Sequence, residues 1–109
     1  MDLRLVDYRR RYPHAYAIEA HYLVELADGL DVGSILATVA PDPAYRWRWS
    51  IGVMPRTGAP PGGLCGSLEE AMAAFRAAWD ATDLDLEAHR RELAAAEAAA
   101  RAWGKKNGR

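Results

Sequence analysis

Cys65, the histidines His14, His21 and His89, and the glycine-rich run before Ser67 are the residues whose types could do chemistry. Cys65 sits between Leu64 and Gly66, just ahead of a helix start at Ser67-Leu68-Glu69-Glu70. A helix N-terminus lowers a thiol pKa and could make such a cysteine a nucleophile. A nucleophile also needs a base, and the three histidines fall on three separate stretches with no motif around them, so a generic loop thiol is the plainer reading. The glycines ahead of the helix could cradle an anion on backbone N–H groups, helped by Arg56. Their spacing fits neither a P-loop, which needs Lys-Ser or Lys-Thr after the last glycine, nor a dinucleotide fingerprint. One cysteine and isolated histidines give no paired ligand spacing, so the expectation is no metal, no cofactor and no catalytic residue.

The arginines carry the second candidate chemistry. Tyr8-Arg9-Arg10-Arg11-Tyr12, together with Arg46 and Arg48, interleaves guanidinium groups with aromatic rings, a composition that can hold phosphates and stack bases. The plainer alternative is that these arginines solvate one face and pair with Glu19, Glu25 or Asp31. A formal net charge of -1 favours that alternative, because it removes any whole-chain attraction for nucleic acid.

These side chains need elements to position them. Tyr45 to Val53 alternates strictly: Tyr45, Trp47, Trp49, Ile51 and Val53 on one face, Arg46, Arg48, Ser50 and Gly52 on the other. That is a strand with an aromatic side and a basic side. Tyr16, Ile18, Ala20, Tyr22, Val24 and Leu26 also recur at period two, and Asp28-Gly29 then signals a type I′ hairpin turn. A two-residue loop there sets Ala27 opposite Leu30, Val24 opposite Gly33, Tyr22 opposite Ile35, Ala20 opposite Ala37 and Ile18 opposite Val39. Gly33 opposite Val24 leaves a gap for a bulky neighbour such as a tryptophan. Pro41-Asp42-Pro43-Ala44 reads as a connection, residues 1 to 13 stay open between an edge strand and a turn of helix, and the run from Pro55 to Gly66 reads as the longest and most mobile loop.

Ser67 to Glu70 matches a capping box, and Leu68, Ala71, Met72, Phe75, Ala78 and Trp79 form one stripe at helical spacing, to be laid on Trp47, Trp49 and Ile51. Thr82 followed by Asp83 and Asp85 predicts a second N-cap, and Gly104 a helix end. Between them Leu86, Leu93 and Ala100 repeat at seven with His89, Ala96 and Trp103 interposed, a narrow apolar seam fit to pack on the domain or on a second copy.

A chain of 109 residues, half of them apolar, bounds the answer to one domain with a modest core. A single cysteine and no secretory layout point to the cytoplasm, and no apolar run nears the roughly 20 residues of a membrane span. The segments Val32-Gly33-Ser34-Ile35, Trp47-Arg48-Trp49-Ser50-Ile51, Gly66-Ser67-Leu68-Glu69-Glu70-Ala71 and Phe75 to Trp79 resemble a pattern in small uncharacterised proteobacterial proteins, many encoded on mobile elements. The resemblance spans residues 32 to 80, implies a compact strand-strand-helix unit, and brings no activity or site residues with it.

The expected fold is therefore α+β: a three-stranded antiparallel meander of about residues 15–27, 30–40 and 45–54, covered on one face by a helix of about 67–80 and followed by a C-terminal helix of about 83–103. The expected function is a non-enzymatic protein-binding module through Arg46, Arg48, Leu86, Arg90, Leu93 and Trp103. Its most specific form is a mobile-element or phage inhibitor of a host protein, of the anti-CRISPR kind, with a homodimer through the C-terminal helix as one arrangement. The alternative is a nucleic-acid-binding accessory using Arg9, Arg10, Arg11, Arg46 and Arg48.

Overall fold

The computed structural model describes residues 2–12 and 20–106, with side chains to Gly104. Its element order is β1 (Leu3–Asp7), α1 (Tyr8–Arg11), β2 (His21–Leu26), β3 (Asp31–Ala37), a 3-10 turn (Pro43–Tyr45), β4 (Trp47–Ile51), β5 (Gly62–Cys65), α2 (Leu68–Ala81) and α3 (Leu86–Lys106). The class is α+β, but the sheet has five antiparallel strands in the order β1-β2-β3-β4-β5 rather than three. Both additions come from segments lacking a strong period: the N-terminus, which forms a strand and then one helical turn, and the glycine-rich run, part of which pairs with β4. Tyr16, Ile18, Glu19, Pro13 and His14 lie outside the described residues.

The β2–β3 hairpin corrects the expected turn. Gly29 alone takes positive φ, at 87°, so a type I′ turn, which needs it at Asp28 as well, does not form. Gly29 N–H donates to Leu26 O and Leu26 N–H to Leu30 O, both at 2.9 Å, closing a three-residue loop. The longer loop puts Glu25 opposite Asp31; an irregularity that leaves Val32 unpaired then restores Val24 to Gly33 and Tyr22 to Ile35. The two offsets cancel, which is why the expected pairing holds in the body of the hairpin.

α2 begins where the capping signal placed it. Ser67 Oγ accepts from Glu70 N–H at 3.1 Å, while Glu70 Oε2 reaches past Ser67 to accept from Gly66 N–H at 3.2 Å. Its stripe closes the core: Ala71, Phe75 and Trp79 are buried against Val24, Leu26, Val32, Ile35, Trp49, Ile51 and Val53. Met72, expected in that stripe, is exposed at the rim, and Tyr45 belongs to the exposed 3-10 turn rather than to the aromatic face. The neighbour above Gly33 is Phe75, not a tryptophan: a Cβ built on Gly33 would lie 2.6 Å from Phe75 Cε2. At the far edge Gly63 lies against the Trp49 ring, where a Cβ would meet Nε1 at 2.9 Å. This close approach requires the glycine in β5.

The connector to α3 is zipped onto the chain after β4. Pro55 bridges Leu84, Asp85 N–H donates to Met54 O, and Arg56 N–H donates to Asp83 O. Thr82 ends α2 rather than starting α3. Asp85 caps α3 instead, its Oδ1 accepting from Ala88 N–H at 3.0 Å. Gly104 does not stop α3, which runs on to Lys106.

Candidate functional site

The face of the sheet away from α2 gathers most of the candidate residues, and strand register builds it row by row. His21 pairs with Leu36, Leu36 with Arg48, and Arg48 with Leu64. Paired residues share a face, so these four side chains form one row from β2 to β5. The adjacent row runs Val6, Leu23, Ser34, Ser50 and Gly62, with the two serine hydroxyls 3.3 Å apart.

One end of this face is covered and the other open. α1 covers the first end: Tyr8 stacks on His21 with ring centroids 4.4 Å apart, and Arg11 forms an ion pair with Glu25. Glu25 is almost fully buried, and Arg11 is the charge that makes its burial tolerable. The root of α3 covers the second row. His89 Nε2 lies 2.7 Å from Asp31 O, and because a carbonyl only accepts, the Nε2–H donates to it. Arg90 grips Asp28 at 2.8 Å and, with the Leu30 N–H bond, holds that carboxyl below the usual range. Between root and sheet lies a groove of about 310 Å³ lined by His21, Leu23, Ser34, Ser50, His89 and Leu93 among others.

The named arginines divide. Arg11 is committed to Glu25. Arg46 and Arg48 are exposed and form no ion pair among the described residues; beside them Leu64 is 53% exposed on the edge strand. Arg9 and Arg10 lie on α1 at the other side of the face. Leu86 packs on the core, and Leu93 lines the groove, but Arg91 to Trp103 is exposed along its whole length and Trp103 is 59% exposed. The expected partner residues are thus not in one patch: Arg46 and Arg48 at the β4–β5 end, Arg90 and Leu93 at the α3 root, Leu86 against the core, and Trp103 on the exposed distal half of α3.

Two expected chemistries are rearranged. Arg56 does not serve the glycines; it binds Asp83 at 3.1 Å and Asp85 at 3.4 Å, locking the α3 connector. Cys65 is half-buried and opposite Trp47, on the α2 side of the sheet, whereas His21 and the groove with His89 are on the other. No cluster of three metal-binding side chains occurs among the described residues, and no described helix is long and apolar enough to cross a membrane.

Leu36 and Leu64 escaped the sequence analysis, and His21 and His89, weighed there only as possible bases for Cys65, prove to line one groove. Leu23 and Leu36 were the available signal, two leucines on the face taken as polar. The chain matches no family model, no curated protein and no solved structure.

Proposed function

We propose that this chain is a protein-binding module that presents the β4–β5 end of its open sheet face to an acidic segment of a partner. The observation that carries this is the pair Arg46 and Arg48, exposed, without an ion pair among the described residues, and flanking the exposed Leu64 on an edge strand. An extended acidic segment meets three demands of that surface. Its backbone pairs with the outer edge of β5, its carboxylates meet the arginines, and an apolar side chain covers Leu64. The separation of Cys65 from both described histidines supports binding over nucleophilic catalysis.

The test is retention of a stoichiometric protein from a bacterial extract by the intact chain and by a variant with Arg46→Glu and Arg48→Glu. The wild type is expected to retain a partner and the charge-reversed variant to lose it, with its thermal midpoint unchanged. Equal retention by both removes the arginines from the interface. Tyr45, half exposed beside Arg46, favours one second reading, a single-stranded nucleic acid. A gel shift with unlabelled oligonucleotide competition, weakening steeply with salt and lost in the same variant, would select it.

A further inference from the structure

We infer, on the footing that the outer edge of β5 is the docking strand, that Trp49 reads the docked segment: its indole N–H donates to a neutral side-chain acceptor, an amide or hydroxyl oxygen, on the residue that falls opposite Gly63. Trp49 is 9% exposed, and its ring meets Phe75 edge-on, but its Nε1–H has no acceptor among the described residues. Among those residues no side-chain polar atom shut off from solvent lacks a partner, so this N–H is reached from outside the core. The way out is over Gly63. A Cβ on Gly63 would lie 2.9 Å from Nε1, 3.2 Å from Cε2 and 3.4 Å from Cζ2, so the ring reaches across the glycine with its nitrogen foremost. β5 is the last strand of the sheet, and the row that runs from Trp49 to Gly63 ends there. A donor already stripped of most of its water gains most from an acceptor that a docked chain brings.

The backbone fixes where a docked residue must stand. Ile51 N–H donates to Pro61 O, and Trp49 pairs with Gly63 and Trp47 with Cys65 in the same register, so these residues turn their backbone groups inward between β4 and β5. The alternate residues, Gly62 and Leu64, turn N–H and C=O to the outer edge. An antiparallel segment, the sense of every pairing in this sheet, bonds to those two and sets one residue between them, opposite Gly63. That is a non-hydrogen-bonded position, where side chains across a pair stand closest. The side chain there falls on the α2 face in the row of Trp49, and Gly63 has none to hold it off the indole.

The two faces ask for different side chains. On the open face the residue opposite Leu64 is apolar, and those two places to either side carry carboxylates toward Arg46 and Arg48. A hollow of about 510 Å³, lined by Arg48, Ser50, Pro60 and Leu64 among others, receives them. On the α2 face Glu69 and Glu70 already place two carboxylates in the first turn of α2, with Glu70 Oε2 3.2 Å from Gly66 N–H just past β5. A third carboxylate would be repelled there, so the acceptor for Trp49 is neutral. The segment recognised therefore reads, in order, acid, any residue, apolar, amide or hydroxyl, acid.

The probe is the end-blocked pentapeptide Glu-Thr-Val-Asn-Glu, which antiparallel docking places with its valine opposite Leu64 and its asparagine opposite Gly63, titrated into the isotope-labelled full chain. The amide resonances of Gly62 and Leu64 and the indole N–H of Trp49 are expected to shift together, the last downfield. Replacing the asparagine by valine is expected to weaken binding about tenfold and to leave the indole resonance in place. Both peptides meet the wild-type chain, so no folding defect enters that comparison. In Trp49→Phe, which keeps an aromatic ring in the core but no N–H, the two peptides are expected to bind equally. If both peptides shift the Gly62 and Leu64 amides with equal affinity for the wild type, or if the asparagine preference survives in Trp49→Phe, the role of Trp49 is overturned while the edge remains a docking strand. If neither peptide moves those amides at millimolar concentration, the docking strand itself is overturned, and the role of Trp49 with it.

Discussion

Gly33 is the residue on which the core's geometry turns. It lies where β3 passes directly under the Phe75 ring, with Ser50 O on the other side, so a methyl group has no direction in which to go. Gly33→Ala is expected to destabilise the fold by about 1–3 kcal/mol through overpacking, read as a shift in the denaturant midpoint. Phe75→Leu in the same chain should recover part of that loss, because the two sites share one space; strict additivity would show that the backbone contact with Ser50, not the ring, sets the cost. Glu25 presents the opposite case, a charge where an apolar residue would fit. Arg11→Ala leaves that carboxylate buried with its ion-pair partner gone, an expected loss of about 2 kcal/mol given that Arg11 is itself half exposed. Replacing both, Arg11→Met with Glu25→Leu, should cost less than the single change. A double variant as unstable as Arg11→Ala would mean that the pair is needed for its geometry.

At the scale of elements, α3 is held by three devices at its root: the Asp85 cap, the His89 bond to Asp31 O, and the Arg90–Asp28 pair at the hairpin tip. The last responds to acid. Arg90 lowers the Asp28 pKa in the folded chain, so this pair contributes fully above the unfolded carboxylate value of about 3.9 and is lost as pH falls through the lower folded value. Loosening of the α3 root is therefore expected only below about pH 4, seen as faster amide exchange at Ala88 and His89, and Asp28→Asn should bring it to neutral pH. An unchanged pH profile in that variant would assign the hold to the cap and His89 alone. The elements also show what the sequence could and could not say. Period-two alternation in Trp47 to Ile51 and the Ser67 cap were legible because one local signal sufficed. β5 was not, since Gly62 and Gly63 carry no strand propensity, and Gly63 is required by the Trp49 ring, a contact across the sheet. The cap of α3 was misplaced at Thr82 because three cap-forming residues compete within four positions, and the pairing of Met54 to Arg56 with Asp83 to Asp85 decides among them. Arg46 and Arg48 were legible as one face, but the partner of Arg56 depended on that same long-range pairing.

For the whole molecule, stability should fall steadily from the sheet to the tip of α3. The central strands are paired on both sides and buried beneath α2, with Val24, Ile35 and Ile51 at 3%, 1% and 3% exposure. Their amides should open only with global unfolding. α2 shares that core through Phe75 and Trp79, which stack with centroids 6.4 Å apart, and should exchange with it. The distal half of α3 has no buried residue from Arg91 to Trp103, so its amides should exchange at rates near those of an isolated helix despite high alanine content. Distal amides as slow as those of β3 would mean that α3 is stabilised from within, by its Glu87–Arg91 and Glu97–Arg101 pairs and its alanines.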